Sequence, residues 1–144
     1  KVTDTILQTY TASIDPCLLS GKFLVLHRIL SSIRKHTQDR VIIVSNFTST
    51  LNLLQRYCVR QKFPFLRLDG RTKADVRSKM VNEFNSDSGS DHLGKQPFVF
   101  LLSSKSGGVG LNLIGANRLI LFDSDWNPAT DRQAMALYHA LCYW

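Results

Sequence analysis

The sequence contains few cysteines and histidines, and neither residue type is clustered. Cys17, Cys58 and Cys142 are far apart and include no C-x-x-C pair, and the four histidines are isolated from one another. Zinc sites and disulfide frameworks both need closely spaced or paired ligands. The sequence therefore argues against either kind of site, indicates a reducing compartment, and predicts no metal bound by this chain.

Long apolar runs are also absent. No stretch approaches the ~20 apolar residues needed to span a bilayer, so we expect no membrane partner. At 144 residues, with 44% hydrophobic and 20% charged residues, the chain has the composition of an ordinary globular domain with its own core. It begins at Lys1 rather than at a methionine, and we therefore expect it to be part of a longer chain.

A third absence concerns nucleotide chemistry. The sequence contains no G-x-x-x-x-G-K-[ST] loop, the usual cradle for the phosphates of a nucleotide. Gly108-Val109-Gly110 resembles the start of a dinucleotide-binding fingerprint, but Leu113 stands where its third glycine is required. An independent Rossmann-type cofactor enzyme is therefore the least favoured interpretation.

The positive charge of the chain is unevenly distributed. The net charge of +7 indicates an anionic partner. Eight basic residues, interrupted by only two acids, are concentrated in the middle of the chain: Arg56, Arg60, Lys62, Arg67, Arg71, Lys73, Arg77 and Lys79. A pair of solvated helix faces would give the same pattern, so charge alone leaves both interpretations open.

Four short runs have the length and composition of strands, and all but the second are predicted to be buried. They are residues 41–44, Phe65–Leu68, 98–102 and 118–122. Helical patterns alternate with these runs. The order along the chain therefore predicts an α/β fold with a mostly parallel sheet and helices on both faces.

Three helices before the third strand are predicted from apolar residues that recur at helical spacing. Their inner faces are predicted to comprise Phe23, Leu26, Leu30 and Ile33, then Leu51, Leu54 and Cys58, then Val76, Met80 and Phe84. Thr48 is predicted to cap the second helix, and Thr72 with Asp75 the third. Gly70 is predicted to supply unusual backbone angles in a tight turn, and the polar run 85–96 to form a surface loop.

Small and polar residues follow the predicted strands. Ser45 and Asn46 follow the first strand, Asp69-Gly70-Arg71 follows the second, and the run 103–110 follows the third. Parallel sheets bind ligands where their strands end, and hydroxyls, a lysine and closely spaced glycines offer donors with little bulk. The sequence therefore predicts an anion site in the loop 103–110, most simply for phosphate.

One continuous run carries a family resemblance. Residues 98–136 read FVFLLSSKSGGVGLNLIGANRLILFDSDWNPATDRQAMA, and they resemble the fifth motif and the opening of the sixth in superfamily-two helicase-like ATPases of the Swi/Snf type. Ser104-Lys105 and the LIGAN run at 113–117 are similar to the recombination-repair DNA translocases, which assist a strand-exchange recombinase. The resemblance divides the chain into an extended segment at 1–20, a helicase C-terminal RecA-like lobe at 21–136 and a divergent tail at 137–144.

The resemblance implies a function and a set of partners. It implies the second motor lobe of a nuclear, ATP-dependent translocase of double-stranded DNA, acting in homologous recombination and DNA repair or in chromatin remodelling. The implied partners are the DNA backbone, the first RecA-like lobe of the same protein and a strand-exchange recombinase. ATP and Mg²⁺ would belong to the parent two-lobe protein, and this chain alone would bind neither stably.

The resemblance also assigns site residues. Those implied to contact the DNA backbone are Ser45, Asn46, Arg71, Ser103, Ser104 and Lys105. Those implied to form the nucleotide site between the lobes are Gly108, Gly110, Asn112, Asp123 and Gln133.

The last residues depart from the family pattern. Leu137 and Ala140 stand where the family has two arginines that stabilise charge on the transferred phosphate, so no catalytic residue is assigned to this chain. We expect a C-terminal end that is truncated, alternatively spliced or an artefact of gene prediction, and an apolar tail that favours aggregation. The alternative function is accordingly a catalytically dead DNA- or protein-binding fragment.

Overall fold

A computed structural model describes residues 20–86, 96–106, 111–123, 127, 129 and 132. Several predictions fall outside the described residues. They concern the segment 1–19, Gly108, Gly110, Gln133 and the tail 137–144 with Leu137 and Ala140. The chain separates into two compact units, with the boundary between Gln38 and Asp39.

The described part of the first unit is helix α1, Gly21–His36. Phe23, Leu26 and Leu30 are buried and Ile33 is half-buried, which confirms the predicted inner face. Three basic residues in the last turn lie at the negative end of the helix dipole. The helix ends at Thr37, whose backbone N–H and hydroxyl each donate to the carbonyl of Ile33 at 2.9 Å.

The second unit contains a parallel sheet of four described strands. They are β1 (Val41–Ser45), β2 (Phe65–Leu68), β3 (Val99–Ser103) and β4 (Arg118–Leu121), and their spatial order is β2-β3-β1-β4. Val41 is in register with Val99 on one side and with Arg118 on the other. The predicted parallel α/β fold is confirmed.

One predicted property of the fourth strand is wrong. Its composition predicts burial, but Arg118 is exposed and the next three residues are only half-buried. The reason is position, because among the described strands β4 is hydrogen-bonded to β1 alone. Burial begins again at Phe122, whose N–H donates to the carbonyl of Val44 at 2.9 Å.

The two faces of the sheet are covered by different elements. Helix α3 (Ala74–Asn85) contributes Phe84 to a buried cluster that also contains Ile42, Val44, Leu68, Phe100, Leu102, Leu113 and Ala116. Side chains alternate along a strand, so Ile43 and Leu101 point to the opposite face. Helix α2 (Thr48–Arg60) packs against β1, β2 and β3 and buries Leu51, Leu54, Tyr57 and Cys58. Burial raises the pKa of the Cys58 thiol to about 12, as suits a core residue rather than a reactive thiol.

Both predicted helix caps are wrong. Phe47 is at the N-cap of α2 and Lys73 at that of α3, and neither helix has a side-chain cap hydrogen bond. Thr48 is instead the first residue of α2. The hydroxyl of Thr72 accepts a hydrogen bond from the N–H of Asp69 at 3.1 Å, so it closes the preceding turn.

Three further local predictions need correction. Val76 is 37% exposed rather than inward-facing, although Phe84 is buried and Met80 packs against the core cluster as predicted. Gly70 does not have a left-handed φ, and a Cβ there would meet nothing within 4 Å. Asn85 is the last residue of α3 rather than the start of the surface loop.

None of the described helices has the length and hydropathy required to cross a bilayer.

Candidate functional site

The parallel sheet brings the predicted site residues to one edge. Ser45 and Ser103 are the last residues of β1 and β3, and they are in register with each other. Asp69 directly follows β2, and Asp123 follows β4 by two residues. Residues from four separate parts of the chain therefore meet where the strands end.

A buried polar network joins three of these strand ends. The hydroxyl of Ser45 donates to the Oδ2 of Asp123, and the Nδ2 of Asn46 donates to the backbone carbonyl of Asp123 at 3.4 Å. The hydroxyl of Ser104 donates to the Oδ1 of Asn46. Ser45 is 0% exposed and Asn46 is 6% exposed, so their polar groups are largely shielded from solvent and hydrogen-bonded within the protein.

A small cleft opens above this network. Its volume is about 160 Å³, and its walls comprise Asn46, Thr48, Asp69, Gly70, Arg71, Ser103 and Lys105. Thr48 places the first turn of α2 in the wall, and the N-terminus of a helix is its positive end. The cleft thus combines hydroxyls, an amide, a helix N-terminus and two basic side chains.

The two basic side chains are exposed, in contrast to the network below them. Lys105 lies on a 3₁₀ turn, Ser104–Ser106, directly after β3. Its Nζ lies 6.0 Å from the ring centroid of Phe47, which is itself 53% exposed. This distance is within the range of a cation–π contact, which would favour a position of the ammonium group near the cleft. Arg71 lines the same cleft from a different loop, the turn after β2.

The turn that carries Arg71 is held by its own hydrogen bonds. The Oδ1 of Asp69 accepts from the N–H of Arg71 at 3.0 Å, and the carbonyl of Asp69 accepts from the N–H of Thr72 at 3.0 Å. Arg67 on β2 donates from Nε and Nη2 to the Oδ2 of Asp69 at 3.2 and 3.0 Å. The sequence pattern counts Arg67 merely as one basic residue among eight and gives no signal of this role.

Asn112 is not one of the residues that line the cleft. It is exposed, and its backbone carbonyl accepts from the Nδ2 of Asn85 at 2.6 Å. The Oδ1 of Asn85 accepts from the N–H of Gly115 at 3.0 Å, so Asn85 braces the segment that leads into β4. The sequence-based prediction missed Asn85, because its polar neighbours made the helix end look like a loop.

The predicted site residues within the described ranges therefore fall into two overlapping sets and one separate residue. Ser45, Asn46, Ser104 and Asp123 share the buried network, whereas Asn46, Arg71, Ser103 and Lys105 line the cleft. Asn112 is separate from both, and Gly108, Gly110 and Gln133 are outside the described residues. Within the described ranges, no three His, Cys, Asp or Glu side chains converge where they could hold a metal ion.

Comparison with known proteins gives consistent matches. The family model described as "Helicase conserved C-terminal domain" matches residues 21–136. "Protein CHROMATIN REMODELING 25" of Arabidopsis thaliana is 55% identical over 118 residues, which are 82% of this chain and 12% of that protein. "DNA repair and recombination protein RAD54-like" of Homo sapiens is 53% identical over 118 residues, which are 82% of this chain and 15% of that protein.

A solved structure matches as well. It is the C-terminal part of the Fun30 ATPase domain, with a TM-score of 0.76 and 36% sequence identity. The match covers 92% of this chain and 40% of that chain. The alignments to the two curated relatives thus span less than a fifth of each relative's length.

Proposed function

Because this chain belongs to the helicase C-terminal domain family, as a Swi/Snf-type second motor lobe close to the RAD54 proteins, we propose that it supplies DNA-backbone contacts to an ATP-dependent translocase of double-stranded DNA. The names of two relatives contain the words DNA repair and recombination, and we propose that process, in the nucleus, for the parent protein. Chromatin remodelling is the second process that a relative's name suggests.

The observation that supports the DNA contact is that two exposed basic side chains lie above a network of hydrogen-bonded polar groups. Lys105 and Arg71 line one cleft together with the first turn of α2. A phosphate placed there would meet positive charge from both walls and from the helix end. None of these groups reads a base edge, so binding would be tolerant of sequence.

Ser45 and Asn46 would act beneath the contact surface. Both are buried and hydrogen-bonded to Asp123, and Asn46 also accepts from Ser104. We propose that they hold the 3₁₀ turn of Ser104 and Lys105 against the ends of β1 and β4. Ser103 and Ser104 would add hydroxyl or backbone contacts to the same phosphates.

The nucleotide side of the lobe is proposed from the family alone. Asn112 and Asp123, together with Gly108, Gly110 and Gln133, would face the first lobe across the ATP site. ATP would supply the phosphoryl group whose hydrolysis drives movement. In P-loop nucleotide hydrolases the Mg²⁺ is held by residues of the phosphate-binding lobe, so its protein ligands here would come from the first lobe. A strand-exchange recombinase would be a further partner of the parent protein.

Salt-dependent DNA binding tests the proposal. We expect the full 144-residue chain to bind duplexes of unrelated sequence equally, with the affinity falling linearly in a log–log plot against salt. Lys105→Ala should weaken binding to all the duplexes to a similar extent and reduce the magnitude of the salt slope by about 1. Fluorescence anisotropy of labelled duplexes at several salt concentrations measures both quantities.

The matched control is Lys79→Ala. Lys79 is exposed on α3 and does not line the cleft, so its substitution removes the same charge from another surface. We expect a smaller loss of affinity and a smaller change in slope. Equal effects of the two substitutions, or tight salt-insensitive binding of a single sequence, would count against the proposed contact.

A further inference from the structure

The cleft has an acid in its wall. Asp69 lines it together with Arg71 and Lys105. An ionised carboxylate repels a phosphate through the same Coulomb interaction by which the two cations attract it. A cleft of this composition therefore attracts phosphate more strongly when the charge of Asp69 is compensated.

Arg67 provides that compensation. Its Nε and Nη2 both donate to the Oδ2 of Asp69, at 3.2 and 3.0 Å. The side chains of Arg67 and Asp69 are 18% and 19% exposed. Solvent and salt screen such a partly buried pair less than a fully exposed one, so the cancellation persists at ordinary ionic strength.

The remaining guanidinium nitrogen of Arg67 is anchored to α2. Its Nη1 donates to the Oδ1 of Asn52 at 2.8 Å and to the Oε1 of Gln55 at 2.6 Å. All three nitrogens therefore donate to protein acceptors, and the guanidinium is fixed between β2, α2 and the turn after β2. A lysine could supply the charge of this arrangement but not its planar geometry.

The second oxygen of Asp69 connects this ion pair to the cleft. Oδ1 accepts from the N–H of Arg71 at 3.0 Å. By fixing the carboxylate, Arg67 also orients the acceptor that holds the backbone of the residue facing the phosphate.

We propose that Arg67 is a positioning residue for DNA binding, which neutralises and orients Asp69 without contacting the DNA. This inference rests on the proposed function of the cleft as a backbone-phosphate site. Its role is chiefly electrostatic, so removal of the carboxylate should compensate for removal of the guanidinium.

The test is a titration of one mixed-sequence duplex with the full chain and six variants. Arg67→Met should bind about 10-fold more weakly at low salt, and the deficit should shrink as salt rises and screens the exposed carboxylate. Arg67→Met combined with Asp69→Asn should return to within about 3-fold of the unsubstituted chain. Arg67→Lys should retain most of the affinity, because it keeps the charge.

Arg118→Met is the matched control variant. Arg118 forms an ion pair with Asp39 at 2.8 Å that is more exposed than that of Arg67, and it lies at the start of β4, whereas the cleft lies at the ends of the strands. This substitution removes the same charge and likewise removes the arginine from an arginine–aspartate ion pair. It should change the affinity less than 3-fold.

The outcomes separate this inference from the proposed function. If the unsubstituted chain binds no duplex, both are wrong. A second case is that the chain binds DNA and Lys105→Ala weakens that binding, as the proposed function requires. Only the role of Arg67 is then wrong if Arg67→Met binds normally, or if the double variant binds as weakly as Arg67→Met. If Arg67→Met fails to fold, Asp69→Asn tests the inference instead. Without the carboxylate of Asp69 the positive charge of Arg67 is no longer neutralised, so this variant should bind DNA a few-fold more tightly. Unchanged or weaker binding by Asp69→Asn would overturn the inference.

Discussion

At the scale of single residues, the glycine that matters most among those described is Gly115. A Cβ there would lie 2.4 Å from the backbone oxygen of Phe84, 3.0 Å from the Cα of Asn85 and 3.1 Å from the Nη2 of Arg40. Two of these three atoms belong to the backbone and cannot rotate away. Gly115 thus permits the close approach of the segment before β4 to the end of α3.

Gly115→Ala should therefore destabilise the chain by about 1–3 kcal/mol, the usual cost of forcing an extra carbon into a packed site. Urea denaturation followed by circular dichroism measures the free energy of unfolding. Gly70→Ala is the control, because a Cβ at Gly70 would meet nothing within 4 Å. It should change the free energy by less than about 0.5 kcal/mol. Equal costs at the two positions would contradict the packing explanation.

At the scale of elements, the end of α2 is strained at a single position. Lys62 has a φ of 56°, the only positive value for a non-glycine residue among the described residues. The N–H of Phe63 donates to the carbonyl of Cys58 at 2.9 Å, and the N–H of Lys62 donates to that of Val59 at 3.1 Å. These two bonds form a Schellman motif, in which glycine is the preferred residue at the left-handed position.

Lys62→Gly should accordingly raise the free energy of unfolding by about 0.5–1 kcal/mol. Relief of the left-handed strain outweighs the extra chain entropy of glycine in the unfolded state. Lys62→Ala removes the same charge but keeps the strain, so it should not stabilise the chain. Thermal melts of the two variants at equal protein concentration compare them directly, and a gain of equal size in both would point to charge rather than backbone geometry.

At the scale of the whole molecule, we expect this chain not to hydrolyse ATP when it is alone. The sequence contains no G-x-x-x-x-G-K-[ST] loop, and the family resemblance implies arginines at the positions of Leu137 and Ala140. An arginine at the transferred phosphate contributes roughly a thousandfold or more to the rate in comparable enzymes.

We therefore expect the purified chain to release no phosphate from ATP above the buffer rate, with or without duplex DNA. A coupled phosphate-release assay measures this, and Lys105→Ala identifies contamination. Residual turnover that is the same in both preparations belongs to a contaminating ATPase. DNA-stimulated turnover that survives purification and falls in the variant would refute the prediction.

Much of the fold could be predicted because it depends on local patterns. Apolar runs at 41–44 and Phe65–Leu68 form strands as expected, and the alternation of strands and helices requires parallel connections. The helix caps could not be predicted in the same way. Thr72 has a hydroxyl suited to capping α3, but this hydroxyl accepts a hydrogen bond from the N–H of Asp69 instead. Which of the two bonds forms depends on the shape of the turn.

The sequence by itself determined the family, the α/β class and the presence of polar residues at strand ends. Each of these can be recognised from residues that are adjacent in the chain. Only the tertiary structure decided which of those residues meet. The strand order β2-β3-β1-β4 places the ends of β3, β1 and β4 side by side. It thereby joins Ser45 to Asp123 across 78 positions and Asn46 to Ser104 across 58. No local pattern encodes a contact over such distances, since strand order is selected by the packing of the whole sheet and its helices.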